Sequence, residues 1–169
     1  NGDWSSDVCS SDLGNILFSV QERQVIIMEF RKILVPVDGS NPSIDAFRTS
    51  VDLALKYGAE LEVVTVINFN NEQPILSLVN LEKFTEEGLQ KQGMAVINSV
   101  VKDVPENVKL TKVVLYGDPA KAIIEEQETG KADCIILGSR GLGSVRRFFM
   151  GSVSTEIVHN AECPVFVIR

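Results

Sequence analysis

Gly138-Ser139-Arg140-Gly141 follows directly on an apolar run, Cys134-Ile135-Ile136-Leu137, and nine residues separate Gly141 from a second pair, Gly151-Ser152. A short helical pattern starts near Val153. Glycine lets a main chain approach a ligand closely and take positive φ without a Cβ clash. The first N–H groups of a helix have no internal partner and carry the positive end of the helix dipole. Together these features predict an anion site at Gly151, Ser152 and Val153. Glycines beyond a strand end can also mark nothing more than a long turn, and these residues alone leave both readings open.

The full spacing G-x2-G-x9-G-S resembles the nucleotide-binding signature of the universal stress protein family, in its ATP-binding branch. The resemblance runs from about Phe30 to Arg169. It takes in the opening Ile33-Leu34-Val35-Pro36-Val37-Asp38-Gly39-Ser40 and the closing Cys163-Pro164-Val165-Phe166-Val167-Ile168. It implies ATP as ligand, with Mg2+ or Mn2+, where present, held through the phosphates. It also implies a cytoplasmic regulatory or protective module that pairs with its twin through the edge strand 164–168.

Working outward, 169 residues with 44% hydrophobic content make one domain with a real core. No apolar run approaches the roughly 20 residues that span a bilayer. A net charge of −7 and a pI near 4.8 argue against nucleic acid and anionic membranes as partners. Cys9, Cys134 and Cys163 show no C-x-x-C pairing or metal spacing, which fits a reducing compartment. Asn1 to Leu13 has neither helical nor strand periodicity and no signal-peptide pattern. Its wording resembles the conceptual translation of a sequencing-adapter oligonucleotide. Residues 1–27 are therefore expected to be a non-native or disordered extension, with Met28 opening a domain over 28–169.

From Arg31 onward strands and helices alternate. Ile33 to Val37 reads as a buried strand, turned by Asp38-Gly39-Ser40. Asn41 and Pro42 read as N-cap and first residue of a helix. Its inner stripe is Ile44, Phe47, Val51, Ala54 and Leu55, and Tyr57-Gly58 closes it. Leu61 to Ile67 is the second strand, followed by a loop from Asn68. A long helix is expected over Ser77 to Lys102, with Gly88 and Gly93 as weak points and Val104-Pro105 beyond its end. Lys109 to Tyr116 is the third strand. Asp118-Pro119 starts a helix with Ala120, Ile123, Ile124 and Gln127 inward, and Thr129-Gly130 stops it. Ala132 to Leu137, a helix from Val153 to Asn160, and Pro164 to Ile168 complete the pattern.

Strands apolar on both faces and alternating with helices predict an α/β, Rossmann-like fold: an open five-stranded parallel sheet with helices on both faces. The glycine-bearing turns after strands one and four share a ligand only if those strands are neighbours. That requires the order 3-2-1-4-5, which the resemblance also implies.

Asp38, at the end of the first strand, can accept hydrogen bonds from a ribose or an adenine amino group, or can simply make an Asx turn before Gly39. Val37 and Val66 can wall an adenine, and by resemblance they occupy base-contacting positions. Pro36 is counted with them. Arg140 suits phosphate by charge and fork geometry, as do Arg146 and Arg147 in the connecting loop. Ser152 reads as N-cap of the last helix, and its hydroxyl and that of Ser154 would meet the phosphates together with Gly138, Ser139, Gly141, Gly151 and Val153. Catalytic equipment is thin. His159 is the sole histidine and lies far along the last helix, no G-x-x-x-x-G-K-[ST] occurs, and no second carboxylate stands beside Asp38. The residues support binding with at most slow ATP hydrolysis. A nucleotide-free dimeric interaction module and a small adenylating enzyme of related fold are the alternatives.

Overall fold

The computed structural model describes residues 30–68, 85–142 and 150–169. They form β1 (Lys32–Pro36), α1 (Asn41–Tyr57), β2 (Glu60–Ile67), α2 (Glu86–Val100), β3 (Leu110–Tyr116), α3 (Pro119–Gly130), β4 (Cys134–Gly138), α4 (Ser152–Asn160) and β5 (Val165–Ile168). The strands make one parallel sheet in the order β3-β2-β1-β4-β5. Side chains alternate across it. Ile33, Val35, Leu61, Val63, Cys134 and Ile136 face one way, packed with Phe47 and Ala54 of α1 and Ile97 and Val100 of α2. Leu34, Val64, Ile135 and Leu137 face the other, against Ala120 and Ile123 of α3 and Ile157 of α4. Each fully buried Ile or Leu contributes about 1.5–3 kcal/mol. Burial on both faces is what makes the strands read as unbroken apolar runs.

Several local expectations shift. The N-cap of α1 is Ser40, not Asn41: its Oγ accepts from the Ser43 N–H at 3.4 Å, and Pro42 sits one residue deeper. Leu55 is 43% exposed and lies off the inner stripe, which Ser50 joins instead. Gly58 takes the left-handed conformation (φ 69°) at the end of α1 as expected. Within the described residues α2 begins at Glu86, capped by Thr85, and ends at Val100; the earlier part of the expected helix, 77–84, lies outside them, as does the loop beyond Asn68. Gly93 is needed inside α2, because a Cβ there would lie 2.5 Å from Val114 Cγ1 on β3. Asp118 caps α3 with Pro119 next, as expected, but the left-handed residue that ends α3 is Lys131 rather than Gly130. Met28 and the extension before it lie outside the described residues.

Polar groups interrupt the α3 face. Glu62, in the middle of β2, is 5% exposed and pairs with Lys32 at 2.8 Å. The Lys32 ammonium also donates to the Gly130 carbonyl at 3.2 Å, while Glu62 Oε2 has no hydrogen-bond partner. On α3, burial and then the charge of Glu62 hold the Glu126 carboxyl above its ordinary value. On the opposite face, burial pushes the Cys134 thiol up to about 12, which makes it an inert core residue. Cys163 packs with the other cluster, and both thiols are free.

Candidate functional site

The strand order reverses between β1 and β4, and connections leave to opposite faces there. A crevice opens beyond their C-terminal ends. It is a cavity of about 580 Å³, a size typical of ligand pockets, which run about 300–1,000 Å³.

Three parts build it. The first is the turn after β1. Asp38 Oδ1 accepts from the Ser40 N–H at 3.0 Å, an Asx turn in which Gly39 takes φ 86°. Asp38 Oδ2 accepts from the Leu142 N–H, also at 3.0 Å. The carboxylate therefore makes the expected turn and also ties it to the glycine loop 104 residues away.

The second part is the glycine loop. None of Gly138, Gly141 and Gly151 has positive φ; among the described residues of the site, Gly39 is the left-handed glycine. Their smallness serves close approach instead. A Cβ on Gly138 would lie 2.7 Å from the Pro42 carbonyl carbon and 2.8 Å from Ser43 N, so β4 ends directly under the first turn of α1. A Cβ on Gly141 would lie 2.5 Å from Asp38 Oδ2. One on Gly151 would lie 3.4 Å from Arg140 Cα, a milder contact. Ser139 is buried, 4% exposed, and outside the cavity lining. Its N–H donates to Ile168 O, its carbonyl accepts from Gly151 N at 2.8 Å, and its Oγ has no partner.

The third part is the start of α4. Gly151, not Ser152, is its N-cap, with no side chain to cap the helix; Ser152 is the first helical residue. Ser40, Thr85 and Asp118 cap the other described helices with their side chains. The opening N–H groups of α4 thus stay uncapped where Ser152, Val153 and Ser154 line the cavity. No acidic residue lies in this first turn to offset the positive dipole end. Ser154 is less available than expected, since its hydroxyl is buried and donates to the Gly138 carbonyl at 2.9 Å.

Eleven of the twelve residues expected at the site therefore line one cavity, Ser139 being the exception. Pro36, Val37 and Val66 form its apolar side with Ile123 and Leu137, and Arg140 stands at the loop. Arg146 and Arg147 lie outside the described residues. His159 is exposed in the last turn of α4, with Nδ1 against Thr155 O. The sequence reading missed Thr65, Pro119, Ile123, Leu142 and Met150, all on the lining. The one signal for any of them was Asp118-Pro119, which marks a helix start without saying what that start faces.

A doubly wound parallel sheet with an uncapped helix start and a glycine loop at its switch point defines an open α/β protein of the Rossmann-like class. Residues 29–169 match the universal stress protein family, and the chain belongs to that family. It is 32% identical to the universal stress protein MJ0531 of Methanocaldococcus jannaschii, over 83% of this chain and 82% of that one. It is 34% identical to a universal stress protein of Thermus aquaticus, over 83% and 99%. Among solved structures, UspA of Lactobacillus plantarum is 27% identical over 84% of this chain and 99% of its own, with a TM-score of 0.61. A universal stress protein in complex with cAMP shares the fold at 20% identity and TM-score 0.53, over 84% and 98%. One from Archaeoglobus fulgidus in complex with dAMP does so at 20% and 0.52, over 84% and 100%.

Proposed function

We propose that this protein binds ATP and acts through its bound state, as a cytoplasmic regulatory or protective module, rather than through turnover. The observation that carries the reading is the uncapped start of α4, which opens with the glycine loop onto a cavity whose other wall is apolar. The N–H groups suit phosphates, and Val37 and Val66 suit a flat base. Adenine as the base is supported by the two relatives solved with cAMP and dAMP. Little turnover is supported by the lining itself. Asp38 and Arg140 are its ionisable side chains among the described residues, and both Asp38 oxygens already accept backbone N–H groups. No group of three or more potential metal-binding side chains occurs among the described residues, so Mg2+ or Mn2+ would be held through the phosphates. The cytoplasmic assignment rests on Cys134 and Cys163, free thiols on opposite faces of the sheet.

ATP at a hundred times its dissociation constant is expected to add about 2.7 kcal/mol to stability. In a domain of this size that raises Tm by about 5–11 °C, and GTP is expected to give less. Differential scanning fluorimetry with Mg2+ or Mn2+ present decides it; a folded protein with no ATP-dependent shift defeats the reading. Asp38→Ala is expected to weaken inorganic triphosphate as well as ATP, because the carboxylate also holds the Leu142 N–H.

We also propose a homodimer through β5. It is the sheet edge beside β4, and an unpaired apolar edge invites pairing. Phe166, 37% exposed and stacked edge-on to Phe30, extends that surface toward Tyr57. Val167 packs inward on the α4 side, which makes Phe166 the cleaner test position. Phe166→Lys is expected to shift sedimentation from dimer toward monomer by placing like charges across the two-fold axis. Wild type sedimenting as a monomer at tens of micromolar would sink the proposal.

A further inference from the structure

We infer that Ser40 is a positioning residue for the nucleotide site, latching the glycine loop to α1 with the same hydroxyl that caps the helix. This rests on the nucleotide reading above, though the latch itself is visible without ligand. Ser40 does not line the cavity; it acts through Arg140. Its Oγ accepts from the Ser43 N–H at 3.4 Å and donates its single proton to the Arg140 carbonyl at 3.3 Å. Each bond is long. They are reinforced by the adjoining turn, in which the Ser40 N–H holds Asp38 Oδ1 while Asp38 Oδ2 holds the Leu142 N–H.

The loop is thus held on both sides of Gly141, at the Arg140 carbonyl and at the Leu142 N–H. The missing Cβ of Gly141 is what lets Asp38 come so close. Gly151 N bonds the Ser139 carbonyl, so the start of α4 is tied to the residue next to Arg140. Ser40 is 8% exposed, which shields both bonds from water. Arg140 and Gly141 line the cavity, so turning the Arg140 carbonyl out of its bond would re-aim the backbone that meets the ligand.

Capping needs an acceptor at position 40 and the latch needs a donor, and substitutions can separate these roles. Ser40→Thr keeps both. Ser40→Asp keeps an acceptor and has no proton to give at neutral pH. Ser40→Gly caps nearly as well as serine and has no hydroxyl. The measurements are the unfolding midpoint, ATP affinity by calorimetry, and amide hydrogen exchange at Leu142 in the ligand-free full chain. Ser40→Gly is expected to unfold slightly below wild type and Ser40→Asp further below it, since its carboxylate would face the Arg140 carbonyl, and affinities are compared under conditions where both are folded. Both should lose ATP affinity by about three- to tenfold and speed Leu142 exchange by a similar factor, the worth of one neutral hydrogen bond. Ser40→Thr should restore both values. Loss of affinity in Ser40→Asp alone would assign the effect to charge repulsion. Loss in Ser40→Gly alone would assign it to backbone freedom. Either outcome overturns the latch, as does unchanged Leu142 exchange in both variants. If wild type binds no ATP, the nucleotide reading fails, and the exchange measurement still decides whether Ser40 holds the loop.

Discussion

Lys32→Met is expected to destabilise the fold by about 3 kcal/mol, the low end of the 3–5 kcal/mol typical of breaking a buried ion pair. The low end applies because the Lys32 side chain is 23% exposed, which gives water a route to the group left behind; that of Glu62 is 7% exposed. Without the ammonium, Glu62 would be a buried charge whose Oε2 already lacks a partner. Glu126 adds to the strain, since its carboxyl is already held above its ordinary value by burial and by Glu62.

Urea unfolding at neutral pH measures the deficit. The double variant Lys32→Met, Glu62→Met removes both charges and is expected to return to within about 1–2 kcal/mol of wild type. A double variant as unstable as the single one would show that the loss came from packing. In the wild type, the raised Glu126 carboxyl makes its contribution to stability below the ordinary carboxylate range, and that contribution fades as pH rises through the raised value.

Gly138→Ala is expected to cost about 1–3 kcal/mol, the range for inserting a methyl group into a packed site. The new Cβ would meet Pro42 C at 2.7 Å, Ser43 N at 2.8 Å and Pro42 Cβ at 2.9 Å. Two of these are backbone atoms of the first turn of α1 and cannot rotate aside. Relief requires α1 to move away from the end of β4, carrying Ser40 and its bond to Arg140 with it. ATP binding is therefore expected to fall further than the loss of stability alone accounts for. Gly151→Ala serves as the comparison, because its Cβ would meet nothing closer than 3.4 Å. Thermal unfolding and calorimetry on the two variants side by side provide the test. Equal losses of stability at the two positions would refute the assignment of Gly138 to helix–strand packing.

The residues by themselves determined the architecture. Strands buried on both faces read as runs such as Cys134-Ile135-Ile136-Leu137, and Asp118-Pro119 and Gly58 mark helix ends through chemistry contained in one or two side chains. The glycine spacing located the crevice, since Gly138, Gly141 and Gly151 all stand on its lining. Choices that depend on a distant neighbour were decided by the tertiary structure. Ser40 and Asn41 are both good caps, and Ser40 holds the place with its hydroxyl bonded to a carbonyl 100 residues away. Gly130 was read as the helix stop, yet a Cβ there would lie 3.1 Å from both Glu62 Oε2 and Lys32 Nζ. Glycine leaves that pair uncrowded inside the last turn, and the left-handed position falls on Lys131. Glu62 was visible as a letter within an apolar run, but its partner Lys32 lies on the neighbouring strand and the crowding glycine on α3. A helix period or a strand alternation is written in consecutive residues, whereas close packing between elements depends on which surfaces the fold brings together.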